Sequence, residues 1–315
     1  MSLIEQAAKR LEELRRAGTT LHEDPTSAVA ESDRDDSTPT PEAVVLALEA
    51  QARNTSSQVQ SPLLRIPRAP VHPRHVDIDL EKLTARGYLN PHGHHSQLAD
   101  EFRVIKRPLI RNAFANPRNQ KRNQNLVMVT SALAGEGKTF TALNLAMSVT
   151  MELDHTVLLV DGDVSHPSMP GLLGVPNEPG LLDLLTRPDM DVGDALVRTN
   201  VEKLTVLPAG LRHGRSTELL ASEQMAVLLR ELSSRYADRI IIFDSPPLLA
   251  TTEARVLATH MGQIVMVVAA DNTSQQAVTR ALATVESCEL VLMMLNKASQ
   301  TEVGYYDYSA DGGRA

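Results

Sequence analysis

The stretch SALAGEGKTFTALNLAMSV, Ser131 to Val149, constrains the fold of this chain more than any other part of it. It follows directly on an apolar run, LVMVTS, and passes into a helical pattern. Gly135 and Gly137 let the backbone turn tightly so that its amides can face phosphate oxygens. Lys138 adds a mobile positive charge, and Thr139 offers a hydroxyl to magnesium. Strand, glycine turn and helix in that order is the context that a phosphate cradle requires. Ala132 stands where the stricter motif has its first glycine, so the match is to the looser form of the P-loop. Ala134, Gly135, Glu136, Gly137, Lys138, Thr139 and Phe140 are therefore the candidate nucleotide contacts.

Five further short apolar runs accompany LVMVTS (Leu126 to Ser131): Thr156 to Asp163, Leu204 to Gly210, Arg239 to Ser245, Gln263 to Ala270 and Leu290 to Lys297. Strands apolar on both faces belong to a parallel sheet covered by helices. Amphipathic stretches lie between them, at Thr139 to Leu153, Thr217 to Arg235 and Ser274 to Ser287. The alternation predicts an α/β fold, a doubly wound and mainly parallel sheet of the P-loop NTPase kind.

Two of these runs end in carboxylates. LLVDGD delivers Asp161 and Asp163, and IIIFDSPP delivers Asp244. Ligands of open parallel sheets sit along the carboxyl edges of the strands, so all three can converge on a magnesium nucleotide. A lone Asp at a strand end is ordinarily a turn or helix cap; the P-loop reverses that expectation here.

Before residue 98 the chain reads differently. Leu3, Ile4, Ala7, Ala8, Leu11 and Leu14 lie on one face of an amphipathic helix over 1–18, read as a docking or coiled-coil helix. Its acidic residues dilute the basic face that a membrane-surface helix would need. A Pro-, Ser- and acid-rich linker covers 19–75, and an approach segment covers 76–97. His72, His75, His92, His94 and His95 fall there without an accompanying cysteine, so no metal site is expected. A globular domain is expected over 98–299, and a polar tail over 300–315.

The net charge of −8 disfavours a nucleic-acid partner, because such binding is dominated by attraction to phosphates. The single Cys288 forms neither an internal disulfide nor a Cys-x-x-Cys metal site, which fits a reduced cytoplasmic setting. No run approaches the roughly 18 apolar residues that a bilayer span needs, so a soluble chain is expected, brought to a membrane only through a partner.

ALAGEGKT, LLVDGD and IIIFDSPP, with tyrosines clustered near the carboxyl terminus, together resemble the bacterial tyrosine kinases of exopolysaccharide synthesis. The upstream HSQLADEFRVIKRPLIRNAF resembles the subgroup found beside exosortase-type polysaccharide loci. The resemblance covers roughly Leu98 to the end. It implies ATP and Mg2+ as cofactors, with Lys138 and the cradle amides on the β and γ phosphates. Thr139, Asp163 and Asp244 would serve the metal, and Asp161 would accept the tyrosine proton. Asn296 resembles a base-contacting position, although it could equally cap the turn after its strand. The family packs subunits into a ring through a Glu-x-x-Arg-x-x-Arg helix; Asp100, Arg103 and Lys106 occupy those positions, and their spacing of three is read as one helix face. A homo-oligomer is implied, with a membrane-embedded polysaccharide chain-length regulator as activator and a phosphotyrosine phosphatase as counterpart. One departure stands out: where relatives carry an Arg two residues after Asp-x-Asp, this chain has Ser165, followed by His166. That loss keeps open a nucleotide-gated scaffold of low catalytic rate. A partitioning-type ATPase is disfavoured, since Leu133 occupies the place of its signature lysine.

Tyr305, Tyr306 and Tyr308 are three of only five tyrosines, and they sit in a polar, glycine-bearing tail where aromatic residues have no core to fill. They are expected to be the phosphorylation sites. Eight residues separate Tyr305 from Lys297, a reach of roughly 26 Å at about 3.3 Å each, enough to enter a neighbouring subunit's site or its own.

Overall fold

The computed structural model describes residues 74–93, 96–114, 123–235 and 238–299. The expected helix over 1–18, most of the linker, His72, His94, His95, Tyr236 and the tail tyrosines lie outside these residues.

Among the described residues eight strands form one sheet. They are β1 (Arg74–Val76), β2 (Leu126–Ser131), β3 (Thr156–Asp161), β4 (Val197–Thr199), β5 (Leu204–Leu207), β6 (Arg239–Asp244), β7 (Gln263–Ala269) and β8 (Val291–Asn296). Their order is β1-β4-β5-β3-β6-β2-β7-β8. Every neighbouring pair is parallel except β4 with β5. Successive strand residues point to opposite faces, and both faces are covered. Leu126, Met128, Leu158, Val160, Ile241 and Phe243 enter one core; Val127, Val129, Val157, Leu159, Ile240 and Ile242 enter the other. This is why β2 is buried along its whole length and shows no polar alternation.

The second core is roofed by helices α1 (Leu80–Ala85), α2 (Gln97–Ala113) and α3 (Lys138–Thr150). The globular unit therefore includes β1 and α1 and does not begin at residue 98. Ile78, Leu83 and Leu89 are buried in this core, and β1 pairs with β4. Strands of three residues are too short for a periodic signal, so neither β1 nor β4 was legible in the pattern. The helix expected over Thr217 to Arg235 is two helices, Ser216–Leu220 and Glu223–Arg235. Ser222 makes the break: its hydroxyl accepts from the Met225 N–H at 3.3 Å, as an N-cap does.

The expectation for Asp100, Arg103 and Lys106 needs correcting. Residues three apart advance about 300° around a helix, so the first and third of the series lie roughly 120° apart. Asp100 and Arg103 pair with each other at 2.6 Å on a partly exposed face. Lys106 turns inward and is 3% exposed. Its Nζ donates to the Ser148 carbonyl at 2.6 Å and pairs with Glu152 at 2.7 Å. It fastens α2 to α3 and is not part of an outward oligomer face.

Among the described residues no helix is long and apolar enough to cross a membrane.

Candidate active site

The carboxyl edge of the sheet carries the site. β2 ends at Ser131, and the turn that follows leads into α3 with Gly137 as its N-terminal cap. Gly135 and Gly137 hold φ of 81° and 102°, the left-handed region that glycine enters at little cost. A Cβ on Gly137 would lie 2.1 Å from Nδ2 of Asn296, so side-chain atoms are excluded twice over.

That contact shows what Asn296 does. Its Nδ2 donates to the Glu136 carbonyl at 2.8 Å, and Nζ of Lys297 donates to the Gly135 carbonyl at 2.7 Å. The end of β8 thus holds two successive carbonyls of the cradle, so their amides are left to face the other way. The Glu136 side chain is 3% exposed and also braces the loop. Its carboxylate accepts from the Leu133 N–H at 2.5 Å, from the Ala269 N–H at 3.3 Å and from the Thr273 hydroxyl. Only the backbone of Glu136 is available to a ligand. The Phe140 ring likewise packs away from the cradle, against Tyr88 at 5.3 Å and Phe102 at 6.5 Å. The sequence pattern, which reads residue types, could not separate these bracing roles from contact roles.

Opposite the cradle, Asp161 and Asp244 are register partners on β3 and β6. Adjacent parallel strands run about 4.8 Å apart, so the fold places two buried carboxylates side by side. Asp244 accepts from the Thr139 hydroxyl at 2.7 Å and from Ser168 Oγ at 3.4 Å, both through Oδ2. Asp161 accepts from the N–H groups of Ser168 and Met169 at 3.1 and 3.0 Å, also through Oδ2. The remaining oxygen of each is buried without a partner. Burial pushes the Asp161 carboxyl up to about 7, and repulsion from Asp244 and Asp163 adds to it against the Met169 and Ser168 amides. Burial likewise pushes Asp244 up to about 6, opposed by the Thr139 hydroxyl and the Lys138 charge. Asp163 lies further out, its side chain 18% exposed, with Oδ1 accepting from the His166 N–H at 3.1 Å. Its pKa is raised as well, chiefly by burial.

A divalent cation fits this arrangement, because it would satisfy the orphan oxygens and relieve the crowding of like charge. Among the described residues no three His, Cys, Asp or Glu side chains gather as a metal centre by themselves. Magnesium keeps waters and takes phosphate oxygens beside one or two carboxylates.

The corner vacated by the family arginine is not devoid of cations. The Ser165 carbonyl accepts from Nη2 of Arg212, in the turn after β5, and the Ser165 hydroxyl reaches Glu253 at 3.5 Å. Arg212 lies 47 residues from Ser165 in the chain, so no local pattern pointed to it.

The parallel sheet, the glycine cradle and the strand-end carboxylates define a P-loop nucleotide-binding protein. A family model described as an AAA domain matches residues 125–297, and the chain belongs to that family, among its bacterial tyrosine kinases. It is 28% identical over 220 residues to the putative tyrosine-protein kinase CapB of Staphylococcus aureus, covering 69% of this chain and 92% of that one. It is 32% identical over 213 residues to the tyrosine-protein kinase YwqD of Bacillus subtilis, covering 66% and 86%. The crystal structure of the chimerical protein CapA2B2 superimposes with a TM-score of 0.58 at 25% identity, over 73% of this chain and 95% of that one. The kinase domain of the Escherichia coli tyrosine kinase ETK shares the fold, with a TM-score of 0.55 at 21% identity over 75% and 95%.

Proposed function

We propose that the chain is an ATP-dependent protein-tyrosine autokinase that phosphorylates Tyr305, Tyr306 and Tyr308 of a neighbouring copy and so regulates exopolysaccharide synthesis or export. The observation that carries this reading is the register pair Asp161–Asp244, with its unpartnered oxygens, facing Thr139 at the head of the cradle.

Phosphoryl transfer needs positioning and charge neutralisation more than covalent chemistry from the protein. The cradle amides and Lys138 bind the β and γ phosphates. Thr139, Asp163 and Asp244 would hold Mg2+, which supplies charge neutralisation at the phosphates. Asp161 keeps one oxygen free and has an affinity for protons near neutrality, so it can accept the tyrosine proton as the phenol attacks. Its oxygens lie behind Ser168 and Met169, and the turn over 163–168 must yield for a phenol to reach them.

Sheet order sets the distance that an acceptor tail must cross. Four strand spacings separate β8 from β3, roughly 19 Å at about 4.8 Å each. A tail of about 26 Å reach to Tyr305 spans that distance, so its length admits its own cradle as well as a neighbour's, and transfer between copies is the arrangement we propose. Partners of this kind imply an oligomer, a membrane activator and an opposing phosphatase.

The test is labelling with ATP and Mg2+, with and without the cytoplasmic segment of a membrane partner. Wild type should incorporate label and Lys138→Met should not. Label that persists after all three tail tyrosines become Phe would refute the acceptor sites. No label under any condition would favour the nucleotide-gated scaffold.

A further inference from the structure

The turn 211–215, Leu-Arg-His-Gly-Arg, is a patch of positive charge at the active-site edge of a chain whose net charge is −8. We propose that Arg212, with Arg215, is a specificity determinant for the acceptor: it recognises acidic residues flanking the tyrosine of an incoming peptide, the tail of a second copy. This rests on the reading of the tail tyrosines as acceptors.

The turn is anchored at its root. Asp183 is 2% exposed, and its Oδ2 accepts from the Leu211 N–H at 3.1 Å and the Gly180 N–H at 2.9 Å. Asn177 Nδ2 donates to the Gly210 carbonyl at 2.7 Å. Gly210 itself holds φ of 87°, and a Cβ there would lie 2.6 Å from that same Asp183 oxygen. From this base Arg212 projects to the Ser165 carbonyl, two residues beyond Asp163.

The charge around it explains why a cation is needed. An acceptor phenol must approach Asp161, Asp163, Asp244 and Glu253 as well as the nucleotide phosphates, a charge that Mg2+ and Lys138 would offset only in part. The tail adds more: Glu302, Asp307 and Asp311 flank its tyrosines. Lys138 is assigned to the phosphates, and Lys297 is spent on the Gly135 carbonyl. Arg212 and Arg215 are exposed, and among the described residues neither forms an ion pair. A guanidinium with one N–H fixed on a carbonyl still offers donors in the planar fork that matches a carboxylate.

The experiment uses the full chain with Tyr305, Tyr306 and Tyr308 changed to Phe, so that only an added peptide is phosphorylated. The peptide is residues 301–315 with a fluorophore. Its partner carries Glu302→Gln, Asp307→Asn and Asp311→Asn. Dissociation constants by anisotropy and phosphate incorporation are both read in Mg-ATP. The acidic peptide should bind about three- to tenfold more tightly than the neutral one, the range for one or two exposed charge pairs. The preference should vanish in about 0.5 M salt. Arg212→Ala with Arg215→Ala should erase it while peptide-independent ATP hydrolysis is kept, and Arg212→Lys should restore part of it. Equal affinity for the two peptides overturns the proposal. So does an arginine variant in which kcat falls while the peptide preference stays. An acidic peptide bound in an Arg212-dependent way but never phosphorylated overturns the acceptor reading and leaves the recognition site standing. Binding of neither peptide overturns both.

Discussion

Asp244→Asn should make the protein more stable in the absence of metal and nucleotide, although it removes a residue on which the site depends. Asp244 is 1% exposed, and burial raises its carboxyl from 3.8 to about 6. An acid whose folded pKa lies above its unfolded value holds its proton more tightly when folded. It contributes stability at low pH and loses it as pH rises through the folded pKa. A shift of about two units corresponds to roughly 3 kcal/mol against the ionised folded state at pH 8, and about half of that at pH 5. The neutral amide escapes this cost, and its carbonyl can still accept from the Thr139 hydroxyl. For a unit of this size each kcal/mol moves the midpoint by about 2–4 °C, so the Asn variant should melt roughly 6–12 °C above wild type at pH 8 in EDTA. The gain should shrink as pH falls toward 5. Adding Mg-ADP should raise the wild-type midpoint and leave the variant nearly unmoved, because ligands that bind only the folded state stabilise by mass action. Thermal melts over pH 5–8, with and without Mg-ADP, read all three effects. An Asn variant no more stable than wild type at pH 8 in EDTA would refute the claim that burial and crowding strain this carboxylate.

Three further outcomes follow from contacts already described. Gly137→Ala should abolish nucleotide binding in a fluorescent-ADP titration while the sheet persists by circular dichroism, since the new Cβ would meet Asn296 at 2.1 Å in a backbone region that alanine avoids. Lys106→Met should lower stability by about 1–3 kcal/mol in urea, through loss of the bonds to Ser148 and Glu152, with the oligomer mass from light scattering unchanged; Arg103→Ala should do the reverse, costing little stability and shifting that mass.

What the sequence alone determined was whatever chain-local chemistry can state. Six apolar runs gave six strands, because a buried parallel strand must be apolar on both faces. The cradle was legible because phosphate binding requires a fixed order of glycine, lysine and hydroxyl within a few residues. The strand ends were legible in the same way: Asp161 closes β3 and Asp244 closes β6, while Asp163 lies two residues past β3.

What only the tertiary structure decided was how those residues are used. β1 and β4 exist through pairing with partners far along the chain, and no three-residue segment carries that information. Glu136 and Phe140 lie inside the motif, yet their side chains serve the scaffold, and Asn296 ties β8 to the cradle. Lys106 turned inward because the helical advance of 100° per residue carries the third member of an i, i+3, i+6 series off the face of the first. The register of β3 against β6 made two separate aspartates into a crowded pair. Arg212 came to Ser165 across 47 residues of chain. Each of these is a juxtaposition in space, fixed by sheet order and packing. Spacing along the chain determines the elements; which side chains meet at their ends depends on how the sheet assembles.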